Sequence, residues 1–421
     1  MHIILFEDSR VQDLYPITVG RAAFSISVGS MRLINLAREM EGEIELIARP
    51  HIRDILRVDA SDAWTPEKGP RKGPILLVNA RTAPRCSLKK IWQELLDGEY
   101  ERGAVILSGS AIAAAVLNEP DMLPPGEIGC AQIQGILQDL KLPIVYPGGQ
   151  ATMLERSCDV VRLHAELMNE NLECRIASGD YTEILDGVFV PKEEDARPKI
   201  GDYFVADTKA GPIILSQNVQ IGPFCFMRGP VYIGPNSKIN EHSAIKDNVS
   251  ISSVCKVGGE VEATTIEPYS NKQHHGFLGH SYLGSWVNLG AGTCNSDLKN
   301  SYKEVMQETS AGKFPSQMQF LGCVVGDYSK TAINTSIFTG KTIGACSLAY
   351  GFVTTAVPSF VNYARSFGQI TEISVELMIA TQERMFVRRN VKQRPCDVKL
   401  LRDMFELTRC ERQLASEPLS L

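Results

Sequence analysis

Residues 215–257 read LSQNVQIGPFCFMRGPVYIGPNSKINEHSAIKDNVSISSVCKV. Every sixth position from Leu215 is aliphatic or Met: Leu215, Ile221, Met227, Ile233, Ile239, Ile245, Ile251 and Val257. Four residues after each stands a compact side chain: Val219, Cys225, Val231, Ser237, Ser243, Val249, Cys255 and Val261. A helix would repeat at 3.6 residues and a strand at two, so neither explains this pattern. A six-residue period with one large and one small inward residue predicts a parallel β-helix of hexapeptides, three to a triangular coil. Each coil rests its backbone on the next, so the coils are stable only as a stack.

The rhythm extends outward from this block. Aliphatic-Gly pairs recur at Leu278-Gly279, Leu283-Gly284 and Leu289-Gly290, spaced by five and then six residues, which implies one dropped residue. The period resumes at Val325, Thr331, Ile337 and Ile343, with Ser329, Thr335 and Ser347 at compact positions. Between them, 294–317 is polar and aperiodic, and is expected to leave the helix as a loop; such excursions are often functional. The stretch NKQHHGFLGHSYLGSWVNLGAGT (271–293) therefore lies on coils, and holds three of the seven histidines.

The ends differ in kind. Short aliphatic runs at 3–6, 74–80 and 103–109 read as buried parallel strands, and 31–40 and 154–172 as helices. Domains are expected at 1–165 (an α/β, Rossmann-like layer), 166–184 (a linker), 185–360 (the β-helix) and 361–421 (a helical tail closing its end). Net charge −6 gives no footprint for nucleic acid, and no apolar run approaches the ~18 residues that span a bilayer. Eleven cysteines without a C-x-x-C pair, and an N-terminus lacking a basic leader, fit a reduced, cytoplasmic protein.

Residues 270–300 resemble the acetyltransferase half of the bifunctional glucosamine-1-phosphate acetyltransferase / N-acetylglucosamine-1-phosphate uridylyltransferase family, in its divergent bacterial branch. The carriers are His274 followed by Phe277-Leu278-Gly279, then Val287-Asn288-Leu289-Gly290-Ala291-Gly292-Thr293, then Cys294-Asn295-Ser296-Asp297. The resemblance implies a left-handed β-helix that trimerises and uses acetyl-CoA as co-substrate. In it His274 deprotonates a sugar amine, Asn288 and Asn295 hold sugar and acetyl group, and coenzyme A lies near Ala291, Ser329 and Ser347. Phe277 stands where the family has a substrate-binding Tyr. Lys272 or Arg228 is expected to replace the family's phosphate-contacting Lys. An imidazole titrating near ~6.5 suits such general-base work.

Over 1–165 the resemblance is to the family's nucleotidyltransferase half, which uses Mg²⁺. LFEDSRVQDLYPIT and LLVNAR carry it, pointing to Asp8, Arg21 and Asn79 as nucleotide-binding residues. Ser27 stands where a second Arg is expected, and Pro147-Gly148-Gly149 where the branch has Pro-Trp-Asp. The acceptor is then an amino-sugar phosphate and the nucleotide product a UDP-sugar. Two other classes fit parts of the sequence: a β-helical zinc enzyme of carbonic-anhydrase type using His242, His275 and His280, and a non-catalytic nucleotide-sugar-binding scaffold.

Overall fold

The computed structural model describes residues 1–146 and 151–415; the Pro147-Gly148-Gly149 motif lies outside the described residues. The chain divides into two compact units. One comprises 1–14, 21–27 and 31–155, and the other 15–20, 28–30 and 156–421.

The first unit is an α/β layer around a five-stranded sheet. In spatial order its strands are Glu43–Ile47, His2–Phe6, Ile75–Asn79, Ala111–Leu117 and Gly103–Ser108. The first three run parallel, and His2–Phe6 and Ile75–Asn79 are buried at every position, as central parallel strands require. The run at 103–109, expected to be parallel, is instead one arm of an antiparallel hairpin with Ala111–Leu117. Gly109, with φ of +59°, makes the reversal that returns the chain directly alongside itself.

The second unit begins with helix Ser157–Ala177, which runs through most of the segment expected to be a linker. Its Met168 and Leu172 are fully buried against Ile214, so this segment has a packed face that a linker lacks. Strand Tyr181–Leu185 follows and pairs antiparallel with Val188–Pro191.

Beyond it stands a left-handed parallel β-helix with three faces. The first face includes Ile213–Leu215, Val231–Ile233, Val249–Ile251, Thr265–Ile266, Tyr282–Leu283, Cys323–Val325 and Lys341–Ile343. The second includes Gln220–Ile221, Lys238–Ile239, Lys256–Val257 and Asn271–Lys272, then Lys330–Thr331 and Leu348–Ala349, with Asn288 bridging Asn271 to Lys330. The third includes Phe226–Arg228, Ala244–Lys246, Glu260–Glu262 and Phe277–Gly279 in one sheet, and Cys294–Asn295, Ser336–Ile337 and Phe352–Val353 in another. Leu215 pairs with Ile233 and Ile233 with Ile251, a register of eighteen residues per coil. Both hexad series point inward: Leu215, Met227, Ile239 and Ile251 are fully buried, as are Val219, Val231 and Val249.

The compact residues have a second task at the corner between the first and second faces. Ser237 Oγ donates to the Ser252 carbonyl (2.7 Å) and accepts from the Cys255 amide (2.9 Å), tying one coil to the next. Ser270 repeats this with the Gly284 carbonyl and the Val287 amide. A larger side chain would not fit against the turn, and an apolar one would leave these backbone groups without a partner.

Two departures from the expected rhythm matter for the site. Ile245 pairs with Val261 and Ile251 with Ile266, so three residues are lost between 257 and 266, ahead of the one dropped before Leu283. The polar excursion is also more than a loop: Met306–Thr309 and Gly312–Pro315 form a hairpin, and Glu308 pairs with Lys341 at the first face. After the last coil, Val361–Ala364 and Gln369–Glu372 pair antiparallel, and helices Val375–Val387 and Pro395–Leu407 follow. No helix among the described residues is long and apolar enough to cross a membrane. Nine cysteines among the described residues are free thiols.

Candidate functional site

The coil that begins at Asn271 breaks the aliphatic interior. Lys272 pairs in register with Val257 and so points inward, where it is 2% exposed. Its Nζ donates to the carbonyls of Gly258 and of His274, both at 2.8 Å. Burial pushes this amine down to about 8, with Cys294 and Glu260 acting weakly the other way. The expectation that Lys272 contacts a substrate phosphate is therefore corrected: its ammonium is enclosed in the prism, fastening the corner that carries His274.

His274 itself lies on that corner, between the second and third faces, and is exposed. Phe277 begins the next strand, half-buried, with its ring folded over Gly279. A Cβ on Gly279 would come within 2.3 Å of that ring and 2.6 Å of Asp297 Oδ2, so only glycine admits both groups. Asn288 is half-buried on the second face and accepts from Asn271 Nδ2 at 3.3 Å. Ala291 occupies the turn between Gly290 and Gly292, where its carbonyl accepts from the Asn334 amide.

Four further expectations change. Asn295 points inward and is 6% exposed; it accepts from the Gly279 amide (2.8 Å) and donates to the Gly279 carbonyl (2.9 Å). Its amide thus shapes the third face from behind and does not present itself to an acetyl group. Arg228 forms a two-pronged ion pair with Asp247, Nε to Oδ1 at 2.7 Å, which removes it as a free phosphate ligand. Ser329 and Ser347 are fully buried rungs of the corner ladder, donating to the Gly344 and Pro358 carbonyls at 2.6 Å each. Their hydroxyls face the coil interior rather than any surface along which a coenzyme runs.

The histidines separate. His275 lies on the same corner as His274, near Gly292. His280 is beyond strand Phe277–Gly279, on the next corner, where Nδ1 meets Asp297 Oδ2 at 2.8 Å and the ring stacks on Phe320. His242 stacks on Phe224. Within one chain, no three His, Cys, Asp or Glu side chains gather as a metal site among the described residues. The His280–Asp297 pair escaped the sequence reading. The spacing of seventeen residues, the local coil length, was the signal that would have shown them as neighbours.

In the first unit, the strand ends bring Asp8 and Asn79 together, but around a residue the sequence reading missed. Arg81, fully buried, grips Asp8 with Nε on Oδ1 (2.8 Å) and Nη2 on Oδ2 (2.7 Å). Asn79 Nδ2 adds a bond to Oδ2 and the Arg10 amide one to Oδ1. Burial opposes ionisation of Asp8, yet the Arg81 hydrogen bonds and charge outweigh it and hold the carboxyl below its ordinary value. Both carboxylate oxygens are thus engaged, and they do not fit a Mg²⁺ ion, which needs free oxygen ligands. Asn79 is equally committed, its Oδ1 accepting from the Arg81 amide. The Arg21 carbonyl accepts from Arg49 Nη2. Ser27 is buried and accepts from Arg32 Nε.

Comparison with known proteins found similarities over parts of the chain. Residues 3–178 match the family of sugar nucleotidyl transferases. A bifunctional protein GlmU of Acaryochloris marina is 31% identical over 144 residues, which is 33% of this chain and 28% of that protein. A bifunctional sugar-1-phosphate nucleotidylyltransferase/acetyltransferase of Sulfurisphaera tokodaii is 31% identical over 117 residues, 28% of each chain. The solved UDP-N-acetylglucosamine acyltransferase of Francisella novicida aligns with 53% of this chain and 80% of its own, at 14% identity and a TM-score of 0.22. The chain spans 28% of the length of either of those two curated relatives. Residues 3–178 thus match a sugar nucleotidyl transferase model, and about a third of the chain is similar to bifunctional GlmU proteins.

Proposed function

We propose that this protein transfers an acetyl group from acetyl-CoA to the amine of an amino-sugar phosphate, with glucosamine 1-phosphate the first acceptor to test. The observation that carries this reading is His274: its imidazole is exposed on the prism corner while its own carbonyl is held from inside by Lys272. A general base needs this combination of access and fixed position. The amine nitrogen attacks the thioester carbonyl and His274 takes the N–H proton. The C–S bond breaks as the C–N bond forms, and the coenzyme leaves as a thiol on receiving a proton. Asn288, outward on the adjoining face, would hold the sugar. Neighbouring prisms of a homotrimer would complete the trench, as the resemblance implies, and a cytoplasmic setting would supply both substrates.

For the first unit, the closed Asp8–Arg81–Asn79 cluster speaks against metal-dependent turnover at those carboxylate oxygens. The test of both halves is one set of tubes. Protein, acetyl-CoA and a panel of amino sugars, phosphorylated and not, are read for thiol release; UTP with N-acetylglucosamine 1-phosphate is read for pyrophosphate. His274→Ala is expected to lower thiol release by about 10²-fold with the assembly intact. Undiminished release would remove His274 from the mechanism.

A further inference from the structure

With Lys272 enclosed and Arg228 paired, the phosphate of the proposed acceptor lacks its expected ligands. The second face of the prism holds cations that no carboxylate among the described residues faces. Lys256 and Asn271 are register neighbours on adjacent coils, Asn271 pairs with Asn288, and Asn288 with Lys330. These four form one outward column, about 4.8 Å per step. Helix Val375–Val387 brings two more cations at its C-terminal end. Phe386 packs on Trp286 (4.5 Å) and Trp286 stacks on Tyr269 (4.3 Å), which fixes that end of the helix against the coils. Arg389 Nη2 then donates to Asn271 Oδ1 at 2.5 Å, and Asn271 in turn donates to Asn288.

The charge here is unbalanced. Elsewhere on the prism, cations face carboxylates: Arg228 with Asp247, Lys246 with Glu260 and Glu262, Lys341 with Glu308. Lys256, by contrast, feels burial, then Arg389, Lys238 and Arg388, all of which push its amine below its ordinary value. Arg389 is lowered by burial and by Arg388, opposed by Cys255 and Tyr269 alone. Burial also pushes Lys330 down, to about 8. Among the described residues no carboxylate acts on any of the three. Crowding like charges without a counter-ion costs stability that a bound polyanion returns. In a chain of net charge −6, a local cationic patch of this kind also marks a place of opposite sign to the rest.

We propose that Lys256, Arg388 and Arg389, with Asn271 and Asn288 between the coils, form a binding site for a phosphomonoester or diphosphate. The site lies on the same coils as His274, so it would seat either the phosphate of the acceptor sugar or a phosphate of the coenzyme. Only the choice between those two owners rests on the acyl-transfer reading.

Calorimetric titration of the full chain separates the cases, using inorganic pyrophosphate, glucosamine 1-phosphate against glucosamine, and coenzyme A against its 3′-dephospho form. Wild type is expected to bind pyrophosphate and one of the two phosphorylated ligands over its dephosphorylated partner, more weakly as salt rises. Lys256→Gln and Arg389→Gln should each weaken that binding tenfold or more, and Lys256→Arg should restore it. Because each Gln change relieves repulsion, melting temperatures should stay level or rise, which distinguishes lost binding from lost fold. Unchanged affinity in both Gln variants, or no binding of any phosphorylated ligand by wild type up to about 10 mM, overturns the proposal. His274→Ala should bind phosphate as wild type does; absence of thiol release by wild type with any amino sugar sinks the acyl-transfer reading and leaves the phosphate site standing.

Discussion

Replacing Lys272 with Met removes an ammonium from the interior of the prism while keeping its length and most of its volume. Burial has pushed the lysine amine from 10.5 to about 8. Between those two values the unfolded chain holds a proton that the folded chain has released. A depressed basic group therefore burdens the fold below pH 8, and the burden lifts as pH climbs toward 10.5. From pH 7 to pH 10 the relief amounts to about 2.5 kcal/mol for this one group. Met has no such term. At pH 7 the variant escapes the burden but strands the Gly258 and His274 carbonyls, each worth about 1–3 kcal/mol when left unbonded, so the two effects largely offset.

The assay is urea unfolding of wild type and Lys272→Met at several pH values, compared as differences between the two proteins. The difference should shift in favour of wild type by about 2.5 kcal/mol between pH 7 and pH 10. Lys330, pushed down to about 8 by its own burial, titrates in both proteins and cancels. Parallel pH curves would refute the reasoning, because they would mean Lys272 carries no depressed charge and is not the enclosed ammonium described above.

Three shorter tests address the rest of the site. His280→Asn and Asp297→Asn should leave acetyl transfer within about threefold of wild type while His274→Ala loses about 10²-fold; the reverse pattern would move proton abstraction to the His280–Asp297 pair. Lys272→Met, besides its stability profile, should lower kcat by about tenfold with little change in KM, since it loosens the corner under His274 without touching the outer face; a KM effect alone would contradict this. Gly322→Ala would place a Cβ 2.1 Å from the Gly279 carbonyl and 2.2 Å from Asn295 Nδ2. Such overpacking against backbone should lower stability by about 1–3 kcal/mol, read as a fall in melting temperature; an unshifted melt would show that the third face is not packed as described.

The hexad rhythm made the prism legible because it is a packing rule: each coil requires a filled interior and a compact corner, and 215–257 satisfies both at every step. The α/β unit was less legible. Ala111–Leu117 is alanine-rich and buried throughout, so it lacks both the alternation of a half-exposed strand and the bulky branched run of a central one. Helix Ser157–Ala177 outlasted its reading because its later turns are polar outside while Met168 and Leu172 still pack. Asp8 and Asn79 were singled out with Arg21 as nucleotide-binding residues, but the partner the structure gives them is Arg81. An Arg at a strand end suits a phosphate as well as a buried carboxylate, and only the geometry shows it closing both Asp8 oxygens.

At the site itself, the failure and the signal coincide. A six-residue step carried forward from Val257 would turn residues 263, 269 and 275 inward, yet the coil drops three residues and turns inward Val261, Ile266 and Lys272 instead. Stepping back from Leu278 gives Lys272, and stepping forward from Leu289 gives Asn295, so the anchors were present in the sequence. What hid them was the habit of assigning polar residues to the surface. Lys272, Asn295 and, three coils beyond Val257, Thr331 are polar groups within an otherwise aliphatic core. A solenoid's stability is nearly a sum over neighbouring coils, so a polar interior weakens its own coil directly and must be compensated on either side. Here it is flanked by the aliphatic coils of 215–257 and by Ile337, Ile343, Val353 and Val357. Each polar intruder reaches backbone groups of the outer surface: Lys272 the carbonyl of His274, Asn295 both polar groups of Gly279, Thr331 the amide of Gly290. Core hydrophobicity has been exchanged for a fixed backbone along one stretch of prism, which is the arrangement expected where positioning of surface groups matters more than the stability of a single coil.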